Sequence, residues 1–144
     1  MNEVNTLLLI GGILSIVASL LHIAIIIGGA SWYRFFGAGE KMATMAEKGS
    51  WYPTVITLFI AGVLFSWGLY AFSGADVFTY RLPFLNYALV VISAIYLVRG
   101  LVFIPALLFM PDKVDTFIVW SSLISLVFGL CYAIGTFQVW KTLI

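Results

Sequence analysis

Four long apolar stretches dominate the pattern of hydrophobic and polar positions along the chain. They cover about residues 7–29, 53–73, 85–110 and 116–140, and each is continuous, not alternating. A helix needs about 20 such residues to cross roughly 30 Å of hydrocarbon, whereas a transmembrane β-strand alternates lipid-facing and polar positions. The pattern therefore predicts an all-α membrane protein, a four-transmembrane-helix bundle in which residues 1–144 form a single integral membrane domain.

The connection between the first two spans is long and carries its own pattern. Aromatic residues crowd positions 32–36 and 51–52, and such rings favour the headgroup level of a bilayer. Between them, residues 39–48 read as a short helix stopped by Gly49, with Ala38, Met42 and Met45 on one face. We therefore predict an interfacial amphipathic helix in the first loop. A lid or re-entrant segment over a pocket is the alternative interpretation.

Small and hydroxyl-bearing residues recur along one side of each span. Lipid tails are as apolar as the helices, so close helix packing depends on small side chains and interhelical hydrogen bonds. These stripes are therefore predicted to face the interior of the bundle. Their members are Gly11, Ser15, Ala18 and His22 in the first span, Thr54, Thr57, Ala61 and Gly68 in the second, Asn86, Ser93 and Gly100 in the third, and Ser122, Ser125, Gly129, Tyr132 and Thr136 in the fourth.

Charge is scarce and unevenly distributed. The chain is 63% hydrophobic and 9% charged, with a net charge of +1, whereas soluble domains have roughly a quarter of their residues charged. A protein that binds nucleic acid needs a basic face, so we expect no nucleic-acid partner.

The first and third loops carry four Lys and Arg residues and the opposite side carries two. The positive-inside rule then predicts cytoplasmic first and third loops and periplasmic termini.

Arg99 is the most informative residue, because it lies near the middle of the third span. A central arginine costs from about 3 to over 10 kcal/mol, and from this depth its side chain is expected to reach the interface poorly. No span contains Asp or Glu. Three kinds of partner remain: Glu40, if the first loop dips inward; backbone carbonyls or the hydroxyls of Ser121 and Ser122; or a bound anion. A structural ion pair and a functional site are both open interpretations.

Other polar groups share one half of the membrane with Arg99. His22 lies about 10 Å, and the two serines about 8–9 Å, from the end of their spans that faces the first and third loops. We therefore predict a polar pocket that opens toward those loops, although His22 could instead be a hydrogen-bonded packing residue. The candidate ligand-binding residues are Arg99, His22, Glu40, Tyr96, Ser121 and Ser122.

These residues fit an amphiphile with an anionic or quinone-like head near Arg99 and a tail between the helices. The first hypothesis is therefore a protein that binds a membrane lipid or a small amphiphile. The second is an accessory subunit whose Arg99 pairs with a partner protein or a second copy, and the third is a lipid-modifying enzyme that uses His22 as acid or base.

One His and one Cys cannot form a transition-metal or bis-histidine haem site, so no metal or cofactor is predicted. The chain has neither a phosphate loop nor a nucleophile elbow, which disfavours an enzyme.

Two stretches of the first loop, WYRFFGAGE at 32–40 and GSWYP at 49–53, resemble those of small four-span proteins of bacterial genomes. The resemblance covers most of the chain. It implies a bacterial inner-membrane setting, and it implies no activity, because none is known for those proteins.

Overall fold

The computed structural model describes residues 3–37 and 39–144 of the chain, which is 82% helical and has no strand among the described residues. Four helices are long and apolar enough to cross a membrane. The predicted fold class, an all-α membrane protein with a four-helix bundle, is confirmed. The helices are α1 (Thr6–Gly28), α2 (Ala30–Phe35), α3 (Glu40–Glu47), α4 (Tyr52–Gly74), α5 (Leu85–Leu101), α6 (Phe103–Phe109) and α7 (Thr116–Leu143), with a 3-10 turn at Pro111–Lys113.

The third span, predicted as one helix over 85–110, is divided into α5 and α6. A single turn residue, Val102, separates the two helices. Pro105 explains the break, since it has no N–H to donate to the carbonyl of Leu101 and its ring would clash with that carbonyl. The α5 helix accordingly ends at Leu101. The position of Pro105 indicates this break in the sequence, but the prediction from the hydrophobic pattern did not take the proline into account.

The chain forms two compact units. The first unit comprises the described residues of Met1–Ser15 together with Trp67–Ile144, and the second unit is Ile16–Ser66. The α1 and α4 helices each contribute one part to each unit. The predicted site residues are thereby divided, because His22 and Glu40 belong to the second unit and the others to the first.

The second unit has a small apolar core beneath α3. Ile25, Tyr33 and Ala43 are buried there, with Met42 and Ala46 packed against them. The predicted short helix is therefore present, but its inward face is centred on Ala43. Met45 is half-buried and is not part of this cluster, and Ala38, predicted on the same face, lies outside the described residues.

Tyr33 departs from the predicted headgroup position of the aromatic residues. Its side chain is buried, and its hydroxyl donates to the Pro53 carbonyl at 3.1 Å while lying 2.9 Å from Thr57 Oγ1. A phenol has one proton, so the Thr57 hydroxyl is the donor in the second bond. Gly29, with φ of +77°, makes the turn from α1 that directs this ring inward. Phe35 and Trp51 are exposed, and their location at the headgroup level stays a prediction.

In the first unit, the backbones of α5 and α7 come into direct contact. A Cβ atom added to Gly100 would lie 2.6 Å from the Leu126 nitrogen, and one added to Gly129 would lie 2.9 Å from the Leu97 nitrogen. Only glycine permits such an approach. The stripe on α7 is correctly predicted, because Ser122, Gly129, Tyr132 and Thr136 are buried. The stripe on α4 is wrong at Thr54, which is exposed.

The α5–α7 contact predicts that alanine substitution has different effects on stability at two glycines that lie within spans. Gly100→Ala should lower the free energy of unfolding by about 1–3 kcal/mol, since the new methyl group overlaps backbone that cannot move aside. Gly62→Ala is the matched control, because nothing lies within 4 Å of its added Cβ. It should be neutral or stabilising by up to about 1 kcal/mol. Unfolding of both variants in mild detergent measures the difference, and equal stability of the two would contradict the close contact.

Candidate functional site

Two neutral hydroxyls on α7 hold the guanidinium of Arg99. Its Nη1 donates to Ser122 Oγ at 2.9 Å and its Nη2 donates to Ser121 Oγ at 3.1 Å. Ser121 passes its own proton to the Ile118 carbonyl at 3.2 Å, so a lone pair of its oxygen is free to accept from the arginine. Of the three partners that the sequence left open, the structure shows the serine hydroxyls.

The arginine side chain reaches toward the third loop. Gly100 faces Leu126 across the helix pair, and Ser122 lies four residues before Leu126, which is about 6 Å nearer the start of α7. Ser121 and Ser122 are about 8–9 Å from that start. The side chain of Arg99 thus extends about one helical turn toward the third loop, and the expectation that it reaches the interface poorly stays a prediction, because the two serines lie inside the span.

The break after α5 also favours a cation at this position. Arg99 lies in the last turn of α5, where the helix dipole is negative and a positive side chain gains about 0.3–1 kcal/mol. Pro105 leaves the Leu101 carbonyl without its usual helical donor. The helix end and the two hydroxyls together stabilise the charge without neutralising it.

One side of Arg99 stays open. The side chain is exposed and lines a groove of about 460 Å³ with Ala94, Ile95, Val98 and Val102. Among the described residues of its unit, no carboxylate lies within 4 Å of it. A guanidinium has five N–H donors, and the serines use two of them. Three donors and a full positive charge thus remain beside an apolar groove.

Tyr96, a predicted ligand-binding residue, belongs to a buried hydrogen-bond chain. Its hydroxyl lies 2.8 Å from Ser15 Oγ, which lies 2.7 Å from the hydroxyl of Tyr132, and Tyr132 donates to the Trp67 carbonyl at 3.0 Å. Since Tyr132 uses its proton on the carbonyl, Ser15 must donate to Tyr132 and Tyr96 must donate to Ser15. The Tyr96 hydroxyl is therefore occupied inside the protein, and its side chain is structural in this arrangement.

The backbone of Tyr96 is also tied to α7. Ser125 Oγ donates to the Tyr96 carbonyl at 3.0 Å, and the ring packs edge-on against Trp67 and Phe128. These contacts fix α5 one turn before Arg99. Ser125 was predicted only as a packing residue. Its hydrogen bond to α5, the helix that carries Arg99, depends on the register of α5 against α7, and the sequence alone does not provide that register.

In the second unit, His22 bonds to its own helix. Its Nδ1 lies 2.7 Å from the Ala18 carbonyl. A carbonyl can only accept, so the proton is on Nδ1, and in the neutral ring Nε2 is left as an acceptor. The ring is half-buried. This bond fits the interpretation of His22 as a hydrogen-bonded packing residue, and it leaves one ring nitrogen available for a polar partner.

Glu40 is held by Arg34. Arg34 Nε lies 3.1 and 3.0 Å from the two carboxylate oxygens, Nη2 lies 2.8 Å from one of them, and Nη1 reaches Glu47 at 2.5 Å. These hydrogen bonds and the charge of Arg34 lower the pKa of both carboxyl groups, and the same bonds and the two carboxylate charges raise the pKa of Arg34. Glu40 thus has a counter-ion in its own unit, within an exposed ion cluster that ties α2 to α3, whereas the sequence offered it as one of three possible partners of Arg99.

No protein-family model, curated protein or solved structure matches this chain. What the site can do follows from its own chemistry. The first unit brings Arg99, Ser121 and Ser122 together as a cationic hydrogen-bonding site beside an apolar groove. Tyr96 supports that site from the core, while His22 and Glu40 have separate local partners in the second unit.

The buried hydrogen-bond chain predicts coupling between Ser15 and Tyr132. Tyr132→Phe and Ser15→Ala should each destabilise the protein, and the double variant should lose less than the sum of the two, by about 0.6–1.7 kcal/mol. Tyr87→Phe is the control, since this tyrosine is exposed on α5. Unfolding in detergent for the four forms of the cycle gives the coupling, and strict additivity would show that the chain does not act as a unit.

His22 offers a second test, based on its remaining nitrogen. His22→Gln keeps a donor and an acceptor, whereas His22→Leu removes both, so the glutamine variant should have the higher melting temperature if Nε2 has a polar partner. Leu21→Gln, at a neighbouring exposed position, reports the general cost of an amide in this span. Equal melting temperatures for the Gln and Leu variants would assign His22 to packing alone.

Proposed function

We propose that this integral membrane protein binds an anionic or quinone-like amphiphile, with the polar head of the ligand at Arg99. The observation that carries the proposal is an exposed arginine inside a membrane span, oriented by two neutral serines, with no carboxylate near it in the described part of its unit. An ionisable residue in this position is a functional-site hypothesis by default.

Electrostatics favour an anionic head over a neutral one. The serine hydroxyls orient the guanidinium but leave its charge uncompensated, and the cost of that charge grows as water is excluded. A carboxylate or phosphate group would offset it through short, paired hydrogen bonds to the free N–H groups. A quinone carbonyl can accept one of these bonds but cannot neutralise the charge.

The groove beside Arg99 supports an apolar tail. Its volume of about 460 Å³ lies within the range of small-molecule sites, which is roughly 300–1,000 Å³. Apart from Arg99, the residues that line it are aliphatic: Ala94, Ile95, Val98 and Val102. A charged head and an apolar wall on one helix face fit an amphiphile better than a soluble anion.

The setting that we propose is a bacterial inner membrane with both termini in the periplasm, as the loop charges favour. The ligand would then enter from the cytoplasmic leaflet. The exposure of Arg99 also supports a second candidate function, an accessory subunit in which an acidic residue of a partner helix, or of a second copy, pairs with the guanidinium. A catalytic role for His22 has less support, because its Nδ1 is bound to its own helix.

Removal of the charge tests the proposal. Arg99→Leu should insert and fold, since the apolar side chain removes the cost of the charge, but it should lose the anionic amphiphile that the wild type retains in mild detergent. Arg99→Lys should retain less than the wild type, because an ammonium lacks the paired donors of a guanidinium. Mass spectrometry of the purified proteins identifies the bound molecules.

Arg81→Leu is the control for loss of one arginine, because Arg81 belongs to the second loop, where it donates to the Thr142 carbonyl. Equal retention by the wild type and Arg99→Leu would refute an anion site. A protein partner that is present in stoichiometric amount with the wild type and absent from Arg99→Leu would instead support the accessory-subunit function.

A further inference from the structure

We infer that the ligand is a membrane phospholipid with an anionic headgroup, and that one of its acyl chains runs from Arg99 past Ala94 into a second groove between α5 and α7. The inference rests on the proposed binding at Arg99. It adds the class of ligand, the path of its tail and the residue that controls that path.

The second groove adjoins the first at one shared residue, Ala94. It has a volume of about 450 Å³ and lies between Val90, Ser93 and Leu97 on α5 and Ala133, Phe137 and Trp140 on α7. Ala94 lines both grooves. The two therefore form one path along α5, from Val102 near the helix break to Val90 near the opposite end.

The length of this path suits an acyl chain. Nine residues separate Arg99 from Val90, which corresponds to about 14 Å along the helix axis. Half of the hydrocarbon core, the depth that one leaflet's chains cover, is about 15 Å. A fatty chain whose headgroup lies at Arg99 would thus reach the far part of the second groove.

The direction of the path matches a lipid in the leaflet beside the third loop. Arg99 reaches toward the start of α7, where its guanidinium meets Ser121 and Ser122. The grooves lead away from that end, along α5 toward Val90. The head would lie toward the surface beside the third loop and the tail would run away from that surface, past the middle of the span, so a phospholipid of that leaflet would not need to invert.

The charge selects an anionic lipid among possible occupants. A phosphate diester offers two oxygens at the spacing of paired guanidinium donors. In phosphatidylglycerol no ammonium accompanies the phosphate, so the positive charge of Arg99 is fully offset. An acidic helix of a partner protein would satisfy the charge as well, but it would leave the apolar groove toward Trp140 without an occupant.

Ala94 is the specificity-determining residue in this arrangement. It is exposed and is the smallest side chain of the Arg99 groove, and it lies at the junction of the two grooves. A phenyl ring at this position would fill the junction while leaving the contacts of Arg99 unchanged. Only the part of a tail beyond Ala94 would then lose its site.

The experiment compares long-chain and short-chain phosphatidylglycerol binding to the protein purified in mild detergent. The tails of the short-chain probe should end before Ala94, and long-chain phosphatidylcholine serves as the zwitterionic control. Titration calorimetry is performed on the wild type, Ala94→Phe and Arg99→Leu. Val91→Phe is the matched bulky variant, because Val91 is exposed on α5 and lines neither groove.

We expect Ala94→Phe to bind long-chain phosphatidylglycerol about tenfold more weakly than the wild type, the effect of losing about two buried methylene groups. It should bind the short-chain lipid normally, and Val91→Phe should match the wild type with both. Equal long-chain binding by Ala94→Phe and the wild type would overturn the tail path while leaving the head site intact.

Other results separate this inference from the proposed function. Unchanged phosphatidylglycerol binding by Arg99→Leu would refute the head site itself. Equal binding of phosphatidylcholine and phosphatidylglycerol by the wild type would overturn the selection of an anionic lipid. Retention of a quinone or a stoichiometric protein, and of no phospholipid, would overturn the class of ligand.

Discussion

The direct contact between the backbones of α5 and α7 is the constraint on which the first unit depends. Gly100 and Gly129 leave no side chain between the two helices, so the register of the pair is fixed to within a fraction of a turn. That register places Ser121 and Ser122 under the guanidinium of Arg99 and Ser125 under the Tyr96 carbonyl. In hydrocarbon, where polar groups find no water, a shift of one residue would leave all of these bonds unmade.

The two arginines with the most hydrogen bonds show how the surroundings decide the partner. Arg34, outside the spans, is paired with two carboxylates, and the resulting cluster is exposed to solvent. Such a cluster contributes little to stability, because water screens it. Arg99, inside a span, has hydroxyls and a helix end as its partners, which orient the cation without offsetting its charge. Arg34 thus joins two helices through ion pairs, whereas Arg99 keeps its positive charge and three N–H donors without a carboxylate partner in the described part of its unit.

The sequence predicts the number and type of the elements well, because a span requires only length and apolar composition. It also singles out Arg99 and places the two serines among three possible kinds of partner, since few polar groups exist at that depth. It does not predict the partner of Glu40. Arg34 is six residues away, and their pairing depends on the turn after α2 and on the docking of α3 through Ala43. Nor does hydrophobic pattern predict the ends of α5, which depend on one proline, or the inward turn of Tyr33, which depends on the backbone at Gly29.

The division of the third span has a consequence for how the protein adapts to bilayers of different thickness. The whole span, Leu85–Phe109, has 25 residues, about 37 Å along a helix axis, whereas α5 alone covers about 26 Å. A span longer than the hydrocarbon core must tilt or bend. Here Pro105 interrupts the helical hydrogen bonds near Val102, so we expect α6 to change its tilt while α5 keeps its register with α7. The mismatch would then be taken up one turn beyond Arg99, and the geometry around the guanidinium would depend little on membrane thickness.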